Sequence, residues 1–245
     1  MLAGHHSCCG HGGTAPGEPH GQEGTIMEGE TDQRRQWDRT YAGAQDFFGR
    51  GPSELAVSAL HTFKQRGITD VLELGCGQGR DTWYMAMNGM RVTALDYSES
   101  GICQMRERAR KDGLDGVVTV DVHDARQPLP FPDASFDAVY SHMFFTMEFS
   151  EEEVSAMLGE CNRVLRPGGL NLYSVRNDHD PHYGQFVPRG KDMWQNPMGF
   201  VVHFFSEEAV RRLSSGYDVL WVKEFDERSP PFTKKLYEVA LQRPG

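Results

Sequence analysis

No apolar run in the 245 residues approaches the ~20 residues that a helix needs to cross a bilayer. The first residues also lack the basic start and apolar core of a secretory signal. A cytoplasmic protein without membrane partners is the expectation. Cysteine is scarce, five in all: Cys8 and Cys9 adjoin, while Cys76, Cys103 and Cys161 are scattered. An odd, scattered set does not read as a disulfide framework. Positive charge is in deficit, 25 Lys and Arg against 35 Asp and Glu, for a formal net charge of −10. With no Lys/Arg run either, a nucleic-acid backbone is not the expected partner. No internal repeat is found. The length suffices for one α/β domain with a full core. Nothing in the composition reads on oligomeric state, monomer or dimer.

Compositional bias is confined to the start. Residues 1–33 are rich in Gly, His, Pro and Glu, with few large apolar groups. Such a segment cannot offset the entropy of ordering, which predicts a disordered tail. Within it, His5-His6-Ser7-Cys8-Cys9-Gly10-His11 gathers metal-ligand types. Their spacing matches no closed four-ligand site, so no metal site is assigned. From 34 to 245 a single domain is expected. It opens on an aromatic segment, 34–52, holding Trp37, Tyr41, Phe47 and Phe48. Ser53 then caps a helix whose Ala56, Ala59, Leu60 and Phe63 share a face. Strands predicted at 70–74, 91–95, 117–122, 136–140 and 170–175 alternate with helices at 81–88, 100–111 and 150–165. That pattern is a parallel, doubly wound sheet of Rossmann-like α/β class. The last of those helices carries a capping box, Ser150 with Glu153. The stretch 177–205 is too long for a plain connection and reads as an active-site loop. A helix from Ser206 follows. Two β-like runs, 218–225 and 236–241, then flank Ser229-Pro230-Pro231 as an antiparallel hairpin at the sheet edge.

The chemistry concentrates at Val71-Leu72-Glu73-Leu74-Gly75-Cys76-Gly77-Gln78-Gly79-Arg80-Asp81. A buried strand feeds a turn with three glycines, where a ligand can approach bare backbone. Asp96 ends the next strand about 20 residues after the first glycine, the spacing that sets an acid against a ribose diol. The dinucleotide fingerprint needs a third glycine where Arg80 stands. Glu73 and Asp81 would also repel a diphosphate but suit an ammonium and a sulfonium. The residues therefore favour S-adenosylmethionine over NAD.

Glu73-x-Gly75-x-Gly77-x-Gly79 resembles the first motif of the class I S-adenosylmethionine-dependent methyltransferases. Asp96, His123-Asp124-Ala125, Phe136 to Ser141 and Leu165-Arg166-Pro167-Gly168-Gly169 resemble that family's later motifs, in order. Trp37-Asp38-x-x-Tyr41, Phe48-Gly49-x-x-Pro52 and Gly199-Phe200-x-x-His203-Phe204-Phe205-Ser206 are similar to the tellurite-resistance and thiopurine methyltransferase group. The resemblance implies a seven-stranded sheet of order 3-2-1-4-5-7-6, with the 34–52 segment folded over the cofactor as a lid. It also implies methyl transfer to a small-molecule acceptor, S-adenosylhomocysteine being the product. Cofactor contacts are expected from Trp37, Tyr41, Glu73, Gly75, Cys76, Gly77, Asp96, Tyr97, Ser98, Asp124, Ala125, Ser141, His142 and Met143.

The reaction is a displacement at the methyl carbon, in which alignment and exclusion of water do most of the work. Arg176, His182, Tyr183 and His203 are the acceptor-side candidates, Arg176 as a holder of an anionic acceptor. Met143, Phe144, Phe145, Met147 and Met193 could line a pocket for an apolar or soft acceptor, or simply pack the core. Two other readings share the glycine turn. A non-catalytic module that binds the same cofactor stays open because no residue is unmistakably catalytic. An NAD-dependent oxidoreductase is the third, and Arg80 speaks against it.

Overall fold

A computed structural model describes residues 33–229 and 232–245. The His5-to-His11 window and Pro230-Pro231 lie outside the described residues. Five strands run parallel in the order β3 (Val118–Val122), β2 (Arg91–Asp96), β1 (Asp70–Leu74), β4 (Phe136–His142) and β5 (Leu165–Asn177). The C-terminal hairpin completes that edge. β10 (Phe232–Gln242) lies antiparallel against β5, and β9 (Asp218–Ser229) antiparallel against β10. This is the expected seven-strand core in the expected order.

Alternation along the strands builds two cores. Val71, Ala138, Tyr140 and Leu172 face one way, with Leu55 and Phe63 of α2 (Glu54–Gln65), Met85 of α3 (Arg80–Met87) and Ile102 of α4 (Glu99–Asp112). Leu72, Leu74, Val139 and Val175 face the other way, with Val154 and Leu158 of α5 (Glu151–Val164) and Val210 of α6 (Glu207–Leu213). Local chemistry places the helix ends. The Ser53 side chain accepts from the Ala56 N–H, and Ser150 with Glu153 forms the expected reciprocal capping box. Buried Phe149, just before that cap, shares a core cluster with Val154, as a hydrophobic staple requires.

Two stretches differ from expectation. Gln33 is not the end of a tail: it opens α1 (Gln33–Gly43), and its side chain is buried. The segment 177–205 is not one long loop. It holds β6 (Val187–Gly190), β7 (Met193–Gln195) and β8 (Val201–Phe205), an antiparallel ribbon. Pro188 and Gly190 obscure β6 in the sequence, and an exposed edge strand is where a proline is tolerated. The ribbon joins the main sheet for a physical reason. β5 outruns β4, which stops pairing at His142 with Ser174. β10 occupies the other edge up to Arg176, so β8 takes the vacated edge, pairing Phe204 with Arg176 and Phe205 with Asn177.

Candidate functional site

The carboxyl ends of β1, β2 and β4 open into a cavity of about 320 Å³. Its floor is the glycine turn. Gly75, Gly77 and Gly79 all have φ between 56° and 81°, a conformation that side chains other than glycine rarely adopt. A Cβ at Gly77 would lie 2.7 Å from the Tyr41 hydroxyl, and one at Gly75 2.6 Å from the Phe144 ring. The glycines therefore serve close packing of the protein itself as well as ligand access. Gly101 plays the matching part in α4, where a Cβ would strike the Gly77 carbonyl at 2.7 Å.

Asp96 ties the floor together. One carboxylate oxygen accepts the Gly77 N–H at 2.8 Å and the other the Ser98 N–H at 2.8 Å. Burial pushes its carboxyl up despite those bonds. The cap of α4 is Ser98, which accepts from the Gly101 N–H. Glu73 is buried under the turn, with a hydrogen bond from the Thr82 hydroxyl at 2.5 Å. Burial, and then the nearby Asp81, push its carboxyl up to about 8. Asp81 is already engaged. It accepts from the Ser53 N–H and hydroxyl and from the Tyr140 hydroxyl, each within 2.8 Å. Its main work is to clasp α2 and β4 to α3, although it touches the cavity.

Of the expected cofactor contacts, Trp37, Tyr41, Glu73, Gly75, Cys76, Gly77, Asp96, Tyr97, Asp124, Ala125, His142 and Met143 line this cavity. Ser98 and Ser141 do not. The Ser98 hydroxyl donates to Asp38, and Ser141 is fully buried within β4. Asp124 reaches the cavity but holds a bidentate pair with Arg126, which keeps its carboxyl low against the opposing effect of burial. Met143 has φ 53°, a strained turn that ends β4 and aims the chain into the cavity.

The roof comes from three separate segments. Trp37 stacks on Tyr41 at 5.4 Å and packs against Phe200 at 4.5 Å and Phe48 at 5.8 Å. Phe200, at the foot of β8, extends this aromatic cover from the ribbon. α1 is held down by Asp38, which accepts from the Ser98 hydroxyl and the Ser100 N–H, both at 2.8 Å. Trp37 Nε1 and His123 Nε2 are buried without hydrogen-bond partners, and both residues line the cavity.

The acceptor-side candidates separate. Arg176 borders the cavity, but its guanidinium is paired with Asp180 and lies over the Phe204 ring at 5.1 Å. Its charge is thus largely met inside the protein. His182 sits behind it, its Nδ1 3.2 Å from Arg176, on a second, very small cavity. Burial and then Arg176 lower its pKa. Tyr183 does not reach the main cavity; its hydroxyl donates to Asp192 at 2.8 Å and its ring packs on Trp194. His203 is structural: buried, stacked on Phe205 at 4.1 Å, with Nδ1 2.8 Å from the Phe149 carbonyl. Met143, Phe144 and Met147 line the cavity, whereas Phe145 is core and Met193 lies on the ribbon away from it.

Sequence reasoning missed Lys234 and Glu227. They face each other across the hairpin, beyond the last β10–β5 pair at Leu236 and Arg176. The tip therefore overhangs the carboxyl edge of the sheet, and Lys234 lines the cavity. Glu227 Oε1 lies 3.5 Å from Lys234 Nζ, and its Oε2 lies 2.9 Å from His142 Nε2. No short motif could reveal this, because β4 and β10 are about 90 residues apart in the chain.

Residues 71–169 match a family described as a methyltransferase domain. A probable S-adenosylmethionine-dependent methyltransferase of Mycolicibacterium smegmatis is 38% identical over 129 residues, 52% of this chain and 44% of that protein. The probable S-adenosyl-L-methionine-dependent methyltransferase TehB of Haemophilus influenzae is 27% identical over 135 residues, 54% of this chain and 45% of its own. The crystal structure of that TehB superposes with a TM-score of 0.60 at 20% identity, covering 76% of this chain and 62% of TehB. The 1,6-didemethyltoxoflavin-N1-methyltransferase of Burkholderia thailandensis, solved with its substrate and S-adenosylhomocysteine, superposes with a TM-score of 0.67 at 19% identity. That match covers 87% of this chain and 88% of that one. The chain spans under half the length of these curated relatives.

Proposed function

We propose that the chain, whose residues 71–169 match a methyltransferase domain family, binds S-adenosylmethionine and transfers its methyl group to a small-molecule acceptor. One observation carries the reading. One cavity is lined both by the glycine turn with Glu73, Asp96 and Asp124 and by apolar and basic side chains, among them Met147, Phe149, Val201, Arg176 and Lys234. Cofactor and acceptor can thus share one space, which in-line displacement requires.

The residues fit the cofactor's chemistry. Asp96 has lone pairs to spare for a ribose diol beyond the two N–H groups it accepts. Glu73, largely protonated when nothing cationic is near, ionises beside an ammonium or sulfonium. The bound cofactor supplies an activated methyl group. The chain's residues orient it, cover it with Trp37, Tyr41 and Phe200, and exclude water. A cavity of about 320 Å³ holds a nucleoside-sized ligand with a small acceptor rather than a macromolecular surface. The Burkholderia neighbour, named for the small molecule it methylates, fits that reading.

Isothermal calorimetry with S-adenosylhomocysteine tests it. Micromolar-range binding is expected, together with S-adenosylhomocysteine release from S-adenosylmethionine in an acceptor screen. Absence of heat and of a thermal shift with either ligand refutes it.

A further inference from the structure

The methionine part of S-adenosylmethionine carries two opposite charges on one carbon, an ammonium and a carboxylate. Glu73 suits the ammonium. The carboxylate is a different problem, because Glu73, Asp81 and Asp96 all border the cavity and would repel it. It needs a cation close to the glycine turn. Among the described residues, Arg80 from α3, Arg176 from β5 and Lys234 from β10 border the cavity. Arg176 is paired with Asp180, and Lys234 faces Glu227 at 3.5 Å on the hairpin tip.

Arg80 differs from both. It directly follows the glycine turn and opens α3. Its positive charge acts on Glu73, partly opposing the rise that burial causes there. A guanidinium offers five N–H donors in a flat fork, a shape that matches a carboxylate. Among the described residues, the hydrogen bond Arg80 makes is one, from Nη1 to the Phe48 carbonyl at 3.3 Å. Asp81 Oδ1 is 3.6 Å from Nε, beyond a hydrogen bond, and that carboxylate is already held by Ser53 and Tyr140. The guanidinium also lies over the Phe48 ring, 5.8 Å from its centre, and Phe48 packs against Trp37. A carbonyl and a ring thus fix the fork where the turn meets the aromatic cover, while most of its donors stay open. The side chain is 22% exposed.

Building on the cofactor reading above, we propose that Arg80 is the carboxylate anchor of the cofactor, holding the α-carboxylate of its methionine part while Glu73 holds the ammonium. The two ends of one turn then carry the two signs that a zwitterion needs. The same residue accounts for the departure from the dinucleotide fingerprint. Where that fingerprint keeps a glycine for a pyrophosphate, this chain has a side chain that reaches an amino-acid carboxylate. Arg80 thereby selects the complete cofactor against its decarboxylated form.

Calorimetry on the full chain with two ligands tests this. One is S-adenosylhomocysteine. The other is decarboxylated S-adenosylhomocysteine, which keeps the ammonium and lacks the carboxylate. The parent should bind the first at least about tenfold more tightly than the second, as a charge-assisted bidentate contact implies. Arg80→Gln should lose about 10- to 100-fold in affinity for S-adenosylhomocysteine but under about threefold for the decarboxylated ligand. Arg80→Lys, which keeps the charge without the fork, should fall between the two in S-adenosylhomocysteine affinity. A merely structural Arg80 would weaken both ligands alike. Equal losses for the two ligands, a parent that does not prefer the carboxylate-bearing one, or a selective loss in Lys234→Gln with none in Arg80→Gln each overturns the proposal. Failure of both ligands to bind the parent overturns the preceding reading instead.

Discussion

Asp96 and Glu73 lie one strand apart, yet they have opposite duties. Asp96 is committed to two backbone N–H groups, so Asp96→Ala removes charge-assisted bonds that shape the turn as well as any ligand contact. S-adenosylhomocysteine affinity should fall roughly 10- to 100-fold by calorimetry, matching loss of about 1.5–3 kcal/mol. Glu73 has a folded-state pKa raised to about 8 from an ordinary value of 4.5. The stability its protonation confers is present below the ordinary value and lost as pH rises to about 8. Glu73→Gln, which cannot ionise, should therefore gain on the parent as pH rises from 5 to 9. Thermal melts across that range check it, and a difference independent of pH would refute the assignment. At this scale most of the glycine-turn side of the cavity was legible in the sequence, since Glu73, Gly75, Gly77 and Asp96 lie at or next to strand ends. Ser98 and Ser141 were not. Whether a serine in a motif points into a cavity or into a cap depends on one rotation of the backbone, which spacing does not encode.

Between elements, single carboxylates act as clasps. Asp38 joins α1 to the start of α4 through Ser98 and Ser100. Asp38→Ala should free the lid without loosening the sheet. Amide exchange over residues 33–43 is expected to accelerate at least tenfold while β1 and β4 stay protected. Asp81 joins α2, α3 and β4, accepting from Ser53 and Tyr140 deep in the core. Asp81→Ala leaves several buried donors unpaired and should cost on the order of 3 kcal/mol, read from the urea midpoint. The sequence reading treated Asp81 as a ligand-facing charge. It did so because Asp81 adjoins the glycine turn, whereas its partners Ser53 and Tyr140 stand 28 and 59 residues away.

The whole molecule places the second wall of the cavity. β5 outruns its neighbours and β8 fills the gap, which sets Phe200, Val201 and Val202 against the cavity. The C-terminal hairpin outruns β5 in turn and brings Lys234 and Glu227 over the edge. Replacing residues 226–235 with a two-residue Asn-Gly turn should leave S-adenosylhomocysteine affinity within about threefold while removing acceptor turnover at least 100-fold. Equal loss of both would mean that the hairpin tip serves the fold alone.

By itself, the sequence determined the seven-strand core, its helices and caps, and the glycine turn with its acids. Those features are local: periodicity, capping chemistry and turn residues act within a few positions of one another. Tertiary structure alone decided which side chains form the second wall. His142, Lys234, Glu227 and Phe200 come from four segments, and their meeting depends on strand lengths and register, which no short window of sequence records.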